Sequence, residues 1–442
     1  MDLTQGLVDL VAVALVAALA PIVVALLPGP RVPQVVIFLF GGVLIGPHVL
    51  GLAETSAIQL LANIGLGFLF LLAGYELDPA LLRQQPGRLA VGGWLISAVI
   101  AIGVAAGLTA AGYIRDYVPV GLALTTTALG TLLPILRDND MLAGQFGRDV
   151  YAAGAAGELF PILIIAVFLT RRGHFIALAS VALVGVLAVA LTAVPWLTGH
   201  RAVQRIVQEG QDETAQITLR GAMVLLFALL AVASRFGLDV VLGALLAGMV
   251  MRGWAHQSNM DITSLERKFD AVGYGIFIPI FFISSGMSLD LKAIAQDPLR
   301  LLIFFALLLI VRGLPSLLVY RRNLPARQRV EMTFITATTL PLLIALVDIG
   351  QQDGVMLPAT AAALVGAGVL SVLVFPLIAV TLHRSGPLTP TDTGITLAQA
   401  AAAANPPDSP GQHVQSDPSP LACRFSPAAT EFLDRRPRRL TS

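Results

Sequence analysis

The sequence predicts an all-α polytopic membrane protein, with about 13 transmembrane helices arranged as two inverted-topology six-helix repeats joined by a bridge. Composition is the first reason. The chain is 56% hydrophobic and only 12% charged, against roughly 25% charged in soluble domains, and its mean hydropathy is +0.82. The second is a series of apolar stretches of spanning or near-spanning length. The third is an internal repeat of three sequence blocks.

Taken in order, the stretches fall at about 6–28, 33–51, 56–77, 88–112, 117–137, 146–170, 174–198, 215–235, 238–253, 268–289, 300–320, 328–349 and 354–383. The first carries Ala18-Leu19-Ala20, which resembles a signal cleavage site. No basic residue precedes it and Pro21 would follow the cut, so it reads as a span. The second and ninth are short and glycine-rich, and the seventh, 174–198, is the bridge between repeats at about 6–170 and 215–383. Together they make a transmembrane domain over residues 1–384. Residues 385–442 hold nine of the 27 prolines and an alanine run from Ala400 to Ala404. Such a segment cannot bury a core and is expected to be a disordered cytoplasmic tail. Its RRPRRL is either solvated or held against anionic lipid.

Sixteen lysines and arginines fall in segments opposite the N-terminus and six on its own side. The bias predicts an outside N-terminus and a cytoplasmic C-terminus in a plasma membrane. The net charge of +1 gives no sign of a nucleic-acid partner. The one cysteine, Cys423, lies in the tail, so the core carries neither a disulfide nor thiol chemistry. The six histidines form no metal-spaced cluster.

The repeat is visible residue by residue. FLFLLAGYELD (Phe68 to Asp78) aligns with IFFISSGMSLD (Ile280 to Asp290) at an offset of 212, matching Gly74 with Gly286 and Asp78 with Asp290. GGVLIGPHVLG (from Gly41) aligns with GALLAGMVMRG (from Gly243) at 202, and TALGTLLPILRD with ATTLPLLIALVD at 210. Shared helix-packing glycines would explain each block alone. They do not explain the common order and offset. A period of seven spans makes equivalent helices cross in opposite directions, as in secondary transporters, whose sites lie at the repeat interface near the midplane.

Two features carry the chemistry. Glu158 stands alone in the apolar run Ala152 to Leu169, where an ionisable group is costly and marks an ion or proton pathway. The symmetry-related fifth and twelfth spans are each interrupted by threonines with proline: Thr125, Thr126, Thr127, Thr131 and Pro134 in one, Thr333, Thr336, Thr338, Thr339 and Pro341 in the other. Local unwinding there frees carbonyls and adds hydroxyls, the oxygen ligands a hard cation needs. The expected site is therefore a cation and a proton competing for Glu158, with Thr126, Thr127, Thr131, Thr338 and Thr339 lining it. Threonines that merely bond to their own backbone fit the same sequence. Arg312, in the eleventh span, cannot realistically lose its proton and reads as a fixed counter-charge, the natural partner of Glu158. A static salt bridge between the repeats fits that pair equally. Glu76 and Asp78 read as solvated ends of the third span, and Asp290 as a cap or end of the tenth.

These blocks, with the acid-bearing span after GQFGRDV, resemble the monovalent cation:proton antiporter-2 family of sodium/proton antiporters and Kef-type potassium efflux systems, over roughly residues 10–383. The resemblance implies a sodium/proton antiporter-like fold and a homodimer. A mobile core would hold the broken helices and Glu158, with spans one to three and eight to ten split between dimer contact and scaffold. It also implies exchange of H⁺ for Na⁺ or K⁺ in a lipid bilayer, with no cofactor and no enzymatic activity. In the family the core acid follows Asp, Asn or Gln. Here the doublet is Gly157-Glu158, and a single acid suggests electroneutral exchange. Two other readings stay open: a sodium-coupled organic anion carrier that uses Arg312 to bind substrate, and a non-transporting membrane sensor of the same fold.

Overall fold

A computed structural model describes residues 3–26, 33–77, 79–115, 117–137, 139–168, 174–192, 216–257 and 262–384. The expected tail, Asp78, Asp138 and the end of the bridge lie outside them. Among the described residues all regular structure is helical. Of the helices among the described residues, nine are long and apolar enough to cross a membrane and four shorter ones are apolar, in keeping with the thirteen stretches.

The first half runs α1 (Leu3–Leu26), α2 (Gln34–Ile45), α3 (Thr55–Glu76), a short α4 (Pro79–Arg83) and α5 (Gln85–Ala110). Two half-helices, α6 (Tyr117–Leu124) and α7 (Leu129–Arg137), follow, then α8 (Gly144–Phe168) and α9 (His174–Thr192). The second half opens with α10 (Ile217–Arg235), α11 (Val240–Gln257) and α12 (Ile262–Val272), the last passing through a wide turn at Gly273–Phe277 into α13 (Ile278–Met287). After a short α14 (Leu291–Gln296), α15 (Pro298–Leu308) passes through a second wide turn at Leu309–Gly313 into α16 (Pro315–Val319). The half-helices α17 (Ala326–Ala337) and α18 (Pro341–Gln352) and the long α19 (Pro358–Arg384) complete the chain. Asp290 caps α14, accepting the amides of Lys292 (2.9 Å) and Ala293 (3.1 Å).

Glycines let the two repeats interlock. α3 packs along α11, and α2 along α13. A Cβ on Gly74 would overlap the carbonyl of Leu245, and one on Gly286, its repeat mate, would overlap that of Leu39. Gly248 meets the Leu71 carbonyl and Gly42 that of Ile283 in the same way. The two interfaces exchange under the repeat, so bare backbone sits against backbone at equivalent places in both.

The chain's irregularities have local causes. Each wide turn ends just before a proline, Pro279 or Pro315, whose ring would strike the carbonyl four residues back in a regular helix. Widening relieves the clash, and Leu314 donates instead to Leu309, at 2.9 Å. At the first break the hydroxyls of Thr125 and Thr126 bond the carbonyls of Leu122 (2.8 Å) and Ala123 (2.7 Å). Side chains thus take up acceptors the helix would have used, and the backbone unwinds over 125–128. At the second, Pro341 begins α18, where a missing N–H costs nothing. Replacing Gly74 or Gly286 by valine is expected to destabilise the protein by about 1–3 kcal/mol through overpacking. Thermal unfolding in detergent checks this, and an unchanged midpoint for both variants would contradict the backbone-contact account.

Candidate functional site

The two breaks are tied to one another. The Ala128 amide donates to the Thr338 carbonyl (2.9 Å), Thr127 Oγ1 donates to the Thr336 carbonyl (2.7 Å), and the hydroxyls of Thr126 and Thr339 lie 2.5 Å apart. Ser371 of α19 closes the far side. Its Oγ accepts the Thr339 amide (3.1 Å) and lies within donating distance of the Thr339 and Gly368 carbonyls (2.9 and 2.7 Å). Four half-helix ends therefore converge on a few residues, each bringing about half a unit of partial charge.

Glu158 enters this crossing from α8. Its side chain is 5% exposed, and Oε1 accepts the Leu129 amide at 2.8 Å. That amide belongs to the first residue of α7, so the carboxylate takes one of the unsatisfied donors at a helix N-terminus. The Thr127 amide bonds the Gly157 carbonyl at 3.1 Å and fixes α8 against the break. Oε2 is buried and, among the described residues, has no hydrogen-bond partner. A buried oxygen in that condition is costly and is where a proton or a small cation gains most.

Arg312 lies in the wide turn before Pro315 and is 3% exposed. Nε donates to Thr127 Oγ1 (2.9 Å) and Nη2 to the Ala153 carbonyl (2.9 Å). The direct partnership with Glu158 expected from sequence is corrected here: among the described residues no ion pair joins the two. The guanidinium is bonded to Thr127, whose hydroxyl in turn bonds the Thr336 carbonyl in the last turn of α17, where a positive charge complements the helix end. Gly157 is part of the same contact. A Cβ there would fall 2.5 Å from Thr127 Oγ1 and 2.9 Å from Arg312 Nη2, so the doublet position has no room for a second polar side chain.

The structure brings Glu158, Thr126, Thr127, Thr338, Thr339 and Arg312 together. Thr338 spends its proton on the Phe334 carbonyl (2.9 Å), the back-bonding that the sequence left open. Thr131, in the first turn of α7, is half-buried and makes no hydrogen bond to the crossing among the described residues. Sequence reasoning missed the Leu129 amide and the Ala153 carbonyl, because backbone groups leave no mark in a sequence. It also missed Ser371, whose signal was a lone hydroxyl inside an apolar span.

Two cavities lie among the described helices, the first reaching the crossing at Leu129. One, of about 320 Å³, is lined by Glu76, Leu129, Arg137, Ala155, Arg252 and Asp270, among others. Glu76 is therefore not a simple solvated helix end; it is half-buried in a cavity wall. The other, of about 60 Å³, is lined by Ser288, Leu289, Asp290, Val347 and Asp348 among others. Ser288 and Leu289 are the repeat mates of Glu76 and Leu77, and Val347 of Arg137, all of which line the larger cavity. The cavities are thus equivalent places in the two repeats, one large and one small.

Known proteins match this architecture. The sequence model for the transmembrane sodium/hydrogen exchanger matches residues 13–383. YjbQ of Bacillus subtilis (strain 168), named as a candidate Na(+)/H(+) antiporter, is 26% identical over 394 residues, covering 85% of this chain and 63% of the relative. The glutathione-regulated potassium-efflux system protein KefC of Enterobacter sp. (strain 638) is 27% identical, covering 86% of this chain and 60% of that one. The chain thus spans less than two thirds of the length of these relatives. The solved structure of the sodium proton antiporter MjNhaP1 from Methanocaldococcus jannaschii at pH 8 superposes with a TM-score of 0.62 at 17% identity, over 86% of this chain and 97% of that one. It shares the fold. With the family model spanning both broken helices, Glu158 and Arg312, this multi-pass membrane protein belongs to the sodium/hydrogen exchanger family.

Proposed function

We propose that the protein exchanges a monovalent cation, Na⁺ or K⁺, for protons across the plasma membrane by alternating access. The observation that carries this reading is the Glu158 carboxylate, buried at the crossing with one oxygen held by the Leu129 amide and the other without a partner. That second oxygen can hold a proton or a cation but not both at once, and competition of this kind is exchange in its simplest form. Lone pairs on the Thr126 and Thr339 hydroxyls and carbonyls freed by the breaks supply further oxygen ligands of the sort a hard cation takes. Arg312 remains charged in either state and supplies a positive charge at the crossing, bonded to Thr127.

The unequal cavities support alternating access, since they occupy repeat-equivalent places and one is much the larger. The larger holds Arg137 and Arg252, on the arginine-rich side that charge bias assigns to the cytoplasm. With the doublet position filled by Gly157, one carboxylate serves the crossing, and one-for-one electroneutral exchange follows. The domain division at residue 384 and the homodimer are part of the same proposal. In α1, only 17% of the apolar window is buried within one copy, which leaves a face for lipid or a second copy. The organic anion reading is weakened because the Arg312 guanidinium is already engaged by Thr127 and Ala153.

Everted vesicles holding a proton gradient test the proposal. Addition of Na⁺ or K⁺ is expected to collapse the gradient with the wild type and not with Glu158→Gln, and full activity in that variant would overturn the assignment. Gly157→Asp, which puts a polar side chain back at the doublet's first position, is expected to slow exchange at least tenfold and to cost about 1–3 kcal/mol of stability, because its Cβ meets Thr127 and Arg312. Unfolding midpoints and vesicle flux measured together check this, and wild-type values in both would contradict the crowding argument.

A further inference from the structure

We propose that Ser371 is a positioning residue of the cation site: by holding the backbone of Thr339 it sets the affinity for the transported cation, and it takes no part in proton binding. The inference rests on the exchange reading above.

Ser371 stands where Glu158 stands in the other repeat. Leu129 and Thr339 are mates at the offset of 210, and each has its amide taken by a side chain from the helix that ends its repeat. Glu158 Oε1 of α8 accepts the Leu129 amide at 2.8 Å, and Ser371 Oγ of α19 accepts the Thr339 amide at 3.1 Å. The neighbouring mates, Ala128 and Thr338, bond one another across the crossing at 2.9 Å. Equivalent braces thus use a carboxylate in one repeat and a hydroxyl in the other. A second acid here would put like charges around one buried site, where even one is costly. The serine braces the break and does not titrate.

The residue it braces is a cation ligand of the exchange reading. Thr339 brings its hydroxyl to 2.5 Å from that of Thr126, and it lies two residues before α18 begins, so its carbonyl falls outside that helix's ladder. Ser371 has one hydroxyl proton and two acceptors for it, the carbonyls of Thr339 (2.9 Å) and Gly368 (2.7 Å). While the proton lies on Gly368, the Thr339 amide stays held and the Thr339 carbonyl is released as an oxygen ligand. Thr339 and Ser371 are both 0% exposed, so bulk water does not take over the brace when the serine hydroxyl is removed. A partly dehydrated cation needs several oxygens at set distances, and without Ser371 those of Thr339 lose their anchor.

Exchange kinetics in proteoliposomes at fixed pH give the test. Ser371→Ala is expected to raise the apparent KM for whichever of Na⁺ and K⁺ is carried about tenfold, a loss of about 1.4 kcal/mol of binding, with kcat within about twofold. At saturating cation its pH profile is expected to match the wild type, because Glu158 and the Leu129 amide are untouched. Ser371→Cys keeps the volume with a weaker donor and acceptor. It carries the test should the alanine variant fail to fold, and its KM is expected to rise in the same direction. A KM unchanged in both variants, a loss of kcat with KM unchanged, or a displaced pH profile would overturn the proposal. Glu158→Gln run alongside keeps the two ideas apart. Full exchange in it would sink the exchange reading, whereas its loss of exchange beside an unmoved KM in the Ser371 variants would sink the positioning role alone.

Discussion

The bond from the Leu129 amide to Glu158 organises the rest of the site, because it sets a buried carboxylate at a helix N-terminus in the middle of a membrane protein. A charge there is costly unless local donors offset it. The first break supplies that donor by ending α6 at Leu124 and restarting the helix at Leu129. The break in turn is held open by threonine hydroxyls on Leu122 and Ala123 and by the Ala128 bond to Thr338 in the other repeat. The carboxylate, the unwound backbone and the contact between repeats are therefore one arrangement.

Arg312 and Gly157 follow from the same geometry. Pro315 forces a wide turn in the helix that carries Arg312, and the turn delivers the guanidinium to Thr127 and Ala153. Only glycine at 157 lets α8 approach closely enough for both contacts and for the Thr127 amide to reach the Gly157 carbonyl. The loss of the doublet's first polar residue is thus linked to the position of the arginine. Positive charge is kept near the site without being spent on the carboxylate, and Oε2 has no hydrogen-bond partner among the described residues.

Much of this was legible in the sequence. Apolar length and glycine spacing gave the helices, and the offsets of 202 to 212 paired α2 with α11 and α3 with α13. Glu158 and the two threonine clusters were legible because polar residues inside apolar runs need a reason to be there. What failed was the inference from charge to contact. Glu158 and Arg312 were expected as partners because opposite charges in apolar helices attract, but the structure gives Glu158 the Leu129 amide and Arg312 the Thr127 hydroxyl and the Ala153 carbonyl, and the backbone groups among these are carried by every residue and displayed by no sequence. Glu76 was misjudged for a related reason. Its place at a helix end suggested solvent, and only the packing of α3, α7, α8 and α11 around it makes that end a cavity wall. Thr131 shows the opposite limit, since membership in a cluster by sequence did not bring it to the crossing.

The account stands or falls on competition at one carboxylate. Its most direct measurement is proton release on cation binding by the purified protein in weakly buffered detergent solution, followed with a pH indicator while Na⁺ or K⁺ is added. The account predicts close to one proton released per cation bound and none from Glu158→Gln. Cation binding without proton release in the wild type, or release undiminished in the variant, would contradict it.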